Sequence, residues 1–325
     1  LDDWTQTDDQ FYGLTTYFVA NNVTEKNHPA ERYVSLSRRK IRNTNTLNYK
    51  FDKLIPDKRH HLDALLGAEF ILTTANTNTM VVEGLPDFFT SEMARNFMSS
   101  GSYIQSANVF YDPDDKLLSF FSRVNYDFDS RYSLSATVRA DGSSRFSRGR
   151  QWGVFPSAAV GWTISNESWM KNATWLSNLK LRYSFGTAGN NNVPSGVQAM
   201  YFAALTDASS QWVYGTTTPW ASTTVDGRTV MPNPDLTWET TYSHNIGIDF
   251  SFLRSRINGS LELYENTIDK LLIQFPTAGS GYQYQYRNSG TIRNRGIELS
   301  LSAVLVETKN FGLNLSANIA LNQNR

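Results

Sequence analysis

The sequence contains no cysteine, which removes disulfide frameworks, thiolate zinc sites and cysteine nucleophiles together. It has no long hydrophobic run. No stretch approaches the roughly 20 continuous apolar residues that a membrane helix needs, so a helical membrane protein is excluded. Neither sign of charge is in excess: Lys+Arg and Asp+Glu are both 30, so the basic footprint of a nucleic-acid binder is missing and no DNA or RNA partner is expected. Histidines number only 4. His28, His60, His61 and His244 are scattered, outside any HExxH arrangement or useful ligand spacing, and no metal site is expected. The glycine-rich stretches Thr277-Ala278-Gly279-Ser280-Gly281 and Gly186-Thr187-Ala188-Gly189 lack the lysine of a P-loop and the following helix of a dinucleotide site. No GxSxG elbow occurs either. The expectation is a protein that is not an enzyme and carries no cofactor. The chain opens on Leu1-Asp2-Asp3-Trp4 with no signal peptide and is expected to be a fragment of a longer one.

Its mean hydropathy of -0.42, with 40% hydrophobic and 18% charged residues, would suit a soluble protein. A transmembrane barrel has the same average, because its strands bury only every second side chain in lipid. Period two dominates the chain. Tyr132, Leu134, Ala136, Val138 and Ala140 alternate with Ser133, Ser135, Thr137, Arg139 and Asp141, as a half-polar strand does. Leu179 to Phe185, Ile246 to Phe252, Ile297 to Leu305 and Phe311 to Leu321 repeat the pattern, as does Leu118 to Tyr126 upstream. These apolar faces carry no Lys, Arg, Asp or Glu, and a basic residue facing lipid at midplane costs roughly 2–4 kcal/mol. Aromatic residues are 13% of the chain, enough for girdles at two interfaces.

Connections alternate in length. Those near 128–130, 253–255 and 307–310 are short, and Pro56-Asp57-Lys58-Arg59 joins them by parity, with 166–177 as a longer member. Between them come 21–33, 73–116, 142–151, 188–236 and 272–287. Short periplasmic turns opposite long extracellular loops are the outer-membrane pattern. About eleven strands result. An odd count leaves edge strands whose unpaired backbone would cost several kcal/mol per group in lipid, so the remaining wall must come from elsewhere. The expected fold is therefore all-β, a transmembrane antiparallel β-barrel segment spanning 1–325, with long extracellular loops near 73–116, 188–235 and 272–287.

A linked series of motifs resembles one family. Asp141-Gly142-Ser143-Ser144-Arg145-Phe146 is followed by Trp152-Gly153-Val154-Phe155-Pro156-Ser157, Gly161-Trp162-Thr163 and Gly186-Thr187-Ala188-Gly189-Asn190. Then come Asn233-Pro234-Asp235-Leu236-Thr237-Trp238-Glu239 and Asn288-Ser289-Gly290-Thr291 through Gly296-Ile297-Glu298. In this order they resemble the SusC/RagA-like, TonB-dependent outer-membrane proteins of Bacteroidota, specifically from about Leu117 onward. The resemblance implies a 22-stranded barrel, a plug domain that is absent from this sequence, drive from TonB, and a SusD-like surface lipoprotein over the mouth. It also implies import of oligosaccharides or peptides through an outer membrane. A barrel with a structural or adhesive role, and a soluble carbohydrate-binding sandwich, are the competing readings.

The motif residues themselves read first as turn chemistry that ends strands and begins loops. Loops on a rigid scaffold carry binding function. Trp212, Tyr214, Trp220, Tyr282 and Tyr284 are therefore the candidates for stacking on sugar rings or peptide side chains, against packing of the loops on one another. Arg139, Arg182, Asp249 and Glu298 lie on the polar face and are candidates for facing a lumen or plug.

Overall fold

A computed structural model of the chain describes residues 2–12, 29–111, 114–194, 196–198, 223–225, 228–277 and 282–325. The strands are β1 (Asp2–Tyr12), β2 (Ala30–Lys50), β3 (His60–Glu83), β4 (Tyr103–Tyr111), β5 (Asp115–Phe128), β6 (Tyr132–Ser143), β7 (Trp152–Thr163) and β8 (Leu176–Asn190). Beyond them come β9 (Thr223–Val225), β10 (Arg228–Met231), β11 (Glu239–Phe252), β12 (Ile257–Asp269), β13 (Leu272–Pro276), β14 (Tyr284–Asn288), β15 (Thr291–Glu307) and β16 (Gly312–Asn324). Helix α1 (Ser91–Asn96) stands between β3 and β4.

Two compact units emerge, one of residues 1–43 and 71–116, the other of 44–70 and 117–325. In the first, β1 pairs with β2 antiparallel and β4 folds back on β3 from Asn76↔Tyr111 to Glu83↔Tyr103. Val82, Leu85 and Ala94 form its small core, with Phe11, Met80, Phe89 and Met98 packed around them. Thr90 caps α1 by accepting the Met93 amide at 3.3 Å, which satisfies one of the donors a helix start leaves open. In the second, the inner parts of β2 and β3 lead into β5-β6-β7-β8-β11-β12-β15-β16, and a separate four-stranded sheet runs β13-β14-β10-β9. Counted along the hydrogen-bonded path, β1 included, the strands number eleven. This agrees with the parity of turns and loops.

The short connections are tight because their residues accept left-handed backbone. Asp129 and Ser130 have φ of 53° and 52°, the twist a hairpin prefers, and the Asp127 carboxylate accepts the Ser130 amide at 2.9 Å. At the β11–β12 turn Leu253, Arg254 and Ser255 are all at positive φ, unusual for such side chains. The neighbouring connection holds them there: Leu253 N–H donates to the Trp175 carbonyl at 2.8 Å and Ser255 N–H to Ser177 Oγ at 3.0 Å.

Strand reaches into the expected loops: β9 and β10 lie within 188–236, and β13 and most of β14 within 272–287. The segment from Thr73 is strand to Glu83 rather than loop, and β4 lies inside the expected 73–116 loop. β2 likewise begins at Ala30, inside the expected 21–33 loop. Thr73-Thr74-Ala75-Asn76-Thr77-Asn78-Thr79 is polar on both faces and gives no alternation, yet threonine suits a strand when a partner takes its backbone bonds.

The apolar stripe is uncovered. Leu118, Phe120, Val124, Leu134, Val138, Val154, Val160, Ile246, Ile248, Leu263, Ile297, Leu301, Ile319 and Leu321 are all exposed large hydrophobics. On β5–β7 this stripe has aromatic margins. Phe128, Tyr132 and Trp162 follow one another at ring separations of 6.3 and 6.5 Å at the turn end, and Phe120 stacks on Trp152 at 6.2 Å at the loop end. In the β6–β7 register Tyr132 faces Trp162 and Gly142 faces Trp152. Ten residues at about 3.3 Å each span roughly 33 Å, or roughly 25 Å vertically for a strand tilted about 40°, which is the height of an outer-membrane apolar band. Helices contribute nothing to this crossing: no described helix is long and apolar enough to span a membrane.

Candidate functional site

The face opposite the stripe is polar and holds two ion-pair clusters. Arg139 on β6 donates through Nε to Asp141 Oδ1 at 2.7 Å and through Nη2 to Glu69 Oε1 at 3.1 Å and Ser119 Oγ at 2.8 Å. Glu69 is nearly enclosed at 4% exposure, and its second oxygen accepts from Thr44 Oγ1 at 2.9 Å. The guanidinium lies 5.4 Å from the Phe121 ring centre. Gly67 leaves room for that ring, since a Cβ there would collide with Phe121. Removing one member of a buried pair strands the other's charge, at roughly 3–5 kcal/mol. Arg139 is about a third exposed, so Arg139→Ala is expected to cost less, about 2–3 kcal/mol. Equilibrium unfolding of the complete barrel in vesicles measures this, and a cost below about 0.5 kcal/mol would show the cluster to be solvent-screened.

The second cluster crosses three strands. Arg182 on β8 grips Asp249 on β11 with Nε and Nη2 at 2.9 and 3.1 Å and reaches Glu262 on β12 at 2.6 Å. Between β8 and β12 the register places Gly247, opposite both Arg182 and Glu262. A Cβ at Gly247 would stand 2.7 Å from the guanidinium carbon. The glycine is the gap through which arginine spans a strand. Asn245 completes the site by donating to the other Glu262 oxygen at 3.0 Å. Glu298 lies next to Glu262 in register and is exposed.

At the loop end, the family motifs converge on one core of Phe146, Phe155, Val193, Val197, Val230, Leu236, Trp238, Tyr284 and Tyr286. Its position follows from Pro156. Proline has no N–H for the ladder, and β7–β8 pairing stops at Ser157↔Gly186. Thr187 Oγ1 donates to the Pro156 carbonyl at 2.9 Å instead. Beyond that point Phe155 turns its ring over Gly153 and Gly189, where a side chain would clash with it. Trp238 meets Phe146 and Phe155 at 5.3 Å each and donates Nε1–H to the Gln151 carbonyl at 2.9 Å. Asn191 Nδ2 donates to Ser143 Oγ, Asn233 Nδ2 to the Tyr286 carbonyl, and Asn288 both donates to the Thr237 carbonyl and accepts the Thr237 amide. The motif residues thus anchor the loops, as their turn chemistry implied.

At the turn end, Glu167 ties the aromatic margin together. It accepts from Tyr132 Oη at 2.6 Å, Trp162 Nε1 at 3.0 Å and Arg131 Nη1 at 3.1 Å. Those donors, Tyr132 first and then Trp162, hold its carboxyl below the ordinary glutamate value. Asp57, in the turn before β3, is held down to about 2 by hydrogen bonds from the Arg59 side chain and then its backbone N–H. A depressed carboxyl stabilises the fold above its unfolded pKa and loses that contribution as pH falls through its folded one. Acidifying the complete barrel from about pH 6 to about pH 3 should therefore lower wild-type thermal stability more than that of Glu167→Gln. Parallel curves for the two proteins would refute the clasp.

Among the sequence candidates, Trp212, Tyr214 and Trp220 lie outside the described residues. Tyr282 is half-buried and its carbonyl accepts from Thr277 Oγ1 at 2.8 Å. Tyr284 is a correction: at 4% exposure it sits in the loop core, edge-on to Tyr286, where its ring faces are closed to a ligand. Arg139, Arg182 and Asp249 are consumed by the two clusters; Glu298 meets no cation among the described residues. Glu69 and Glu262, the ion-pair partners of Arg139 and Arg182, were not among the sequence candidates. Both alternate on the polar face, but only register shows whom they meet. No group of three His, Asp or Glu suited to a metal occurs among the described residues.

Comparison with known proteins gives consistent matches. The model of the family described as TonB dependent receptor-like, beta-barrel, matches residues 1–325. The chain is 37% identical over 216 residues to TonB-dependent receptor SusC of Bacteroides thetaiotaomicron, which covers 66% of this chain and 21% of that protein. A TonB-dependent receptor of Formosa agariphila is 31% identical over 287 residues, 87% of this chain and 27% of the relative. Among solved structures, one described as the RagAB peptide transporter superposes with a TM-score of 0.77 at 25% identity, over 99% of this chain and 33% of that one. The chain spans about a fifth to a quarter of the length of these curated relatives.

Proposed function

We propose a function from one premise: this chain belongs to the family of TonB dependent receptor-like β-barrels, proteins of the outer membrane. We infer that the complete protein imports large nutrients, oligosaccharides or peptides, with this chain as about half of the barrel wall, a plug in its lumen, TonB as its energy source and a SusD-like lipoprotein over its mouth. The observation that carries this is the division of the two faces. The lipid side is an uncharged apolar band, and the opposite side satisfies its charges across strands, as a wetted lumen around a plug requires. Self-paired Arg139, Arg182 and Asp249 stiffen that wall, and Glu298 is left as the residue of the four to meet a plug. Trp212, Tyr214 and Trp220 remain the proposed stacking residues, with Tyr282 at the edge of the loop core.

The test is uptake by the native bacterium of two labelled probes, size-graded glucan oligosaccharides and mixed peptides, with and without the complete protein. Expected is loss of uptake for one probe class on deletion, and the same loss when the proton-motive force is dissipated. Uptake of both classes that ignores the deletion would leave a structural or adhesive barrel. Trp212→Ala with Trp220→Ala at unchanged surface level should weaken probe affinity by about tenfold, as loss of one or two stacked rings does.

A further inference from the structure

On the lipid-facing side of β11, β12, β15 and β16, apolar rows end abruptly toward the loops. Ile246, Leu263, Ile297 and Leu321 are neighbours in register. One step further the row is His244, Glu265, Arg295 and Gln323, and the next pairs Thr267 with Arg293. Arg325 continues the ladder opposite Arg293 by exchanging backbone hydrogen bonds at 2.8 and 2.9 Å. Counting from Phe252 at the turn end, His244 lies eight residues up β11, or roughly 20 Å above the lower margin at the same rise and tilt. That row lies roughly 5 Å inside the upper margin of the band and Arg293, two residues on, at the margin itself, so both guanidiniums are within side-chain reach of outer-leaflet headgroups.

Among the described residues their charge is only partly met by protein. Arg295 gives Nε and Nη2 to the neutral Gln323 Oε1 at 2.9 and 2.7 Å. Arg293 approaches Glu265 only to 3.8 Å, with both side chains well exposed. A groove of about 580 Å³ runs from Ile246, Leu263, Ile297 and Leu321 up to Arg295 and the Glu265 carboxylate, and Tyr183 Oη and His244 Nδ1 lie 3.0 Å apart at its rim. At the corresponding margin of β5–β7 the side chains are aromatic instead, Phe120 and Trp152, so the basic patch is local.

We propose that this patch binds a phosphorylated lipid of the outer leaflet, its phosphate between Arg293 and Arg295 and an acyl chain along the apolar groove. Guanidinium forks match phosphate oxygens in pairs, and an acyl chain replaces nothing but lipid in the groove. The assignment rests on the outer-membrane location and not on the import reading.

The experiment takes the complete protein from its own outer membrane in mild detergent and weighs the co-purifying lipid by native mass spectrometry. Wild type should carry phosphorylated lipid, and Arg293→Ala with Arg295→Ala should carry about tenfold less. The double lysine variant, which keeps charge without the fork, should fall between. Arg123→Ala, on the opposite face, should match wild type. Equal lipid on wild type and the double alanine variant would overturn the proposal. Migration of unboiled protein on a gel reports folding. Should the double variant not fold, wild type decides alone: delipidated protein must rebind intact lipid in preference to phosphatase-treated lipid, and inorganic phosphate must fail to displace it. Equal rebinding of the two lipids, or displacement by phosphate, would refute a lipid site.

Discussion

Ala158→Arg is expected to destabilise the folded barrel by about 2–4 kcal/mol, while Ser157→Arg, one residue earlier, should cost less than about 1 kcal/mol. The two positions differ in face, not in depth. Ala158 pairs with Ala136 and Phe185 on the uncovered apolar side, four residues along a ten-residue band and so near its middle. There a guanidinium must be dragged toward a headgroup or drag water inward. Ser157 pairs with Thr137 and Gly186 on the polar side, where a Cβ on Gly186 would meet nothing but Ser157 Cβ, at 3.6 Å. Equilibrium unfolding of the complete protein in phospholipid vesicles separates the cases. An inverted order would mean that the faces are reversed, and equal costs that the sheet packs on another sheet, as in a soluble sandwich.

That contrast also marks what was legible in the sequence. Where one side of a strand meets lipid and the other meets water, period two is enforced at every residue, and β5 through β8, β11, β12, β15 and β16 are readable from it. Near the loop end both sides meet water or other loops, and the enforcement stops. The Asn76 to Glu83 part of β3 and β4 are held by their mutual ladder, which needs no alternation of apolar and polar residues. The Tyr282, Tyr284, Tyr286 alternation was a strand signal, and β14 uses two of its rings to close the loop core. The polar face was legible as a face, but its pairs were not. Arg182 finds Asp249 and Glu262 across 67 and 80 residues, distances fixed by loop lengths and register, which no local pattern encodes.

Trp238→Ala should have a larger effect than the arginine insertion and a different reach. Filling a core with nothing where an indole stood costs about 3–5 kcal/mol, and the Gln151 carbonyl loses its donor as well. Trp238 is 6% exposed and bridges Phe146 from the β6–β7 loop, Phe155 from β7 and, through that cluster, Tyr284 and Tyr286 from β14. The Leu236 to Trp238 segment is further pinned by Asn288, which bonds both backbone groups of Thr237 at 2.8 Å. The loss is therefore expected to appear as local opening rather than barrel collapse. The β5–β8 and β11–β12 ladders touch this cluster only at their loop ends, through Phe155 and Leu117, and keep their own hydrogen bonds. Amide exchange in residues 143–151, 191–194 and 230–238 should accelerate by about a hundredfold or more, since local opening free energy sets that rate. Strand amides in β6 and β11 should hold their protection. Trp238→Phe keeps most of the packing and loses only the Nε1 bond, so a cost of about 1 kcal/mol is expected. Exchange that rises equally in strands and loops would show that the loop core and the wall are one cooperative unit. Exchange that rises in the loops alone establishes a mouth clamped onto the wall by the motif residues, able to open without disturbing the lipid-facing band.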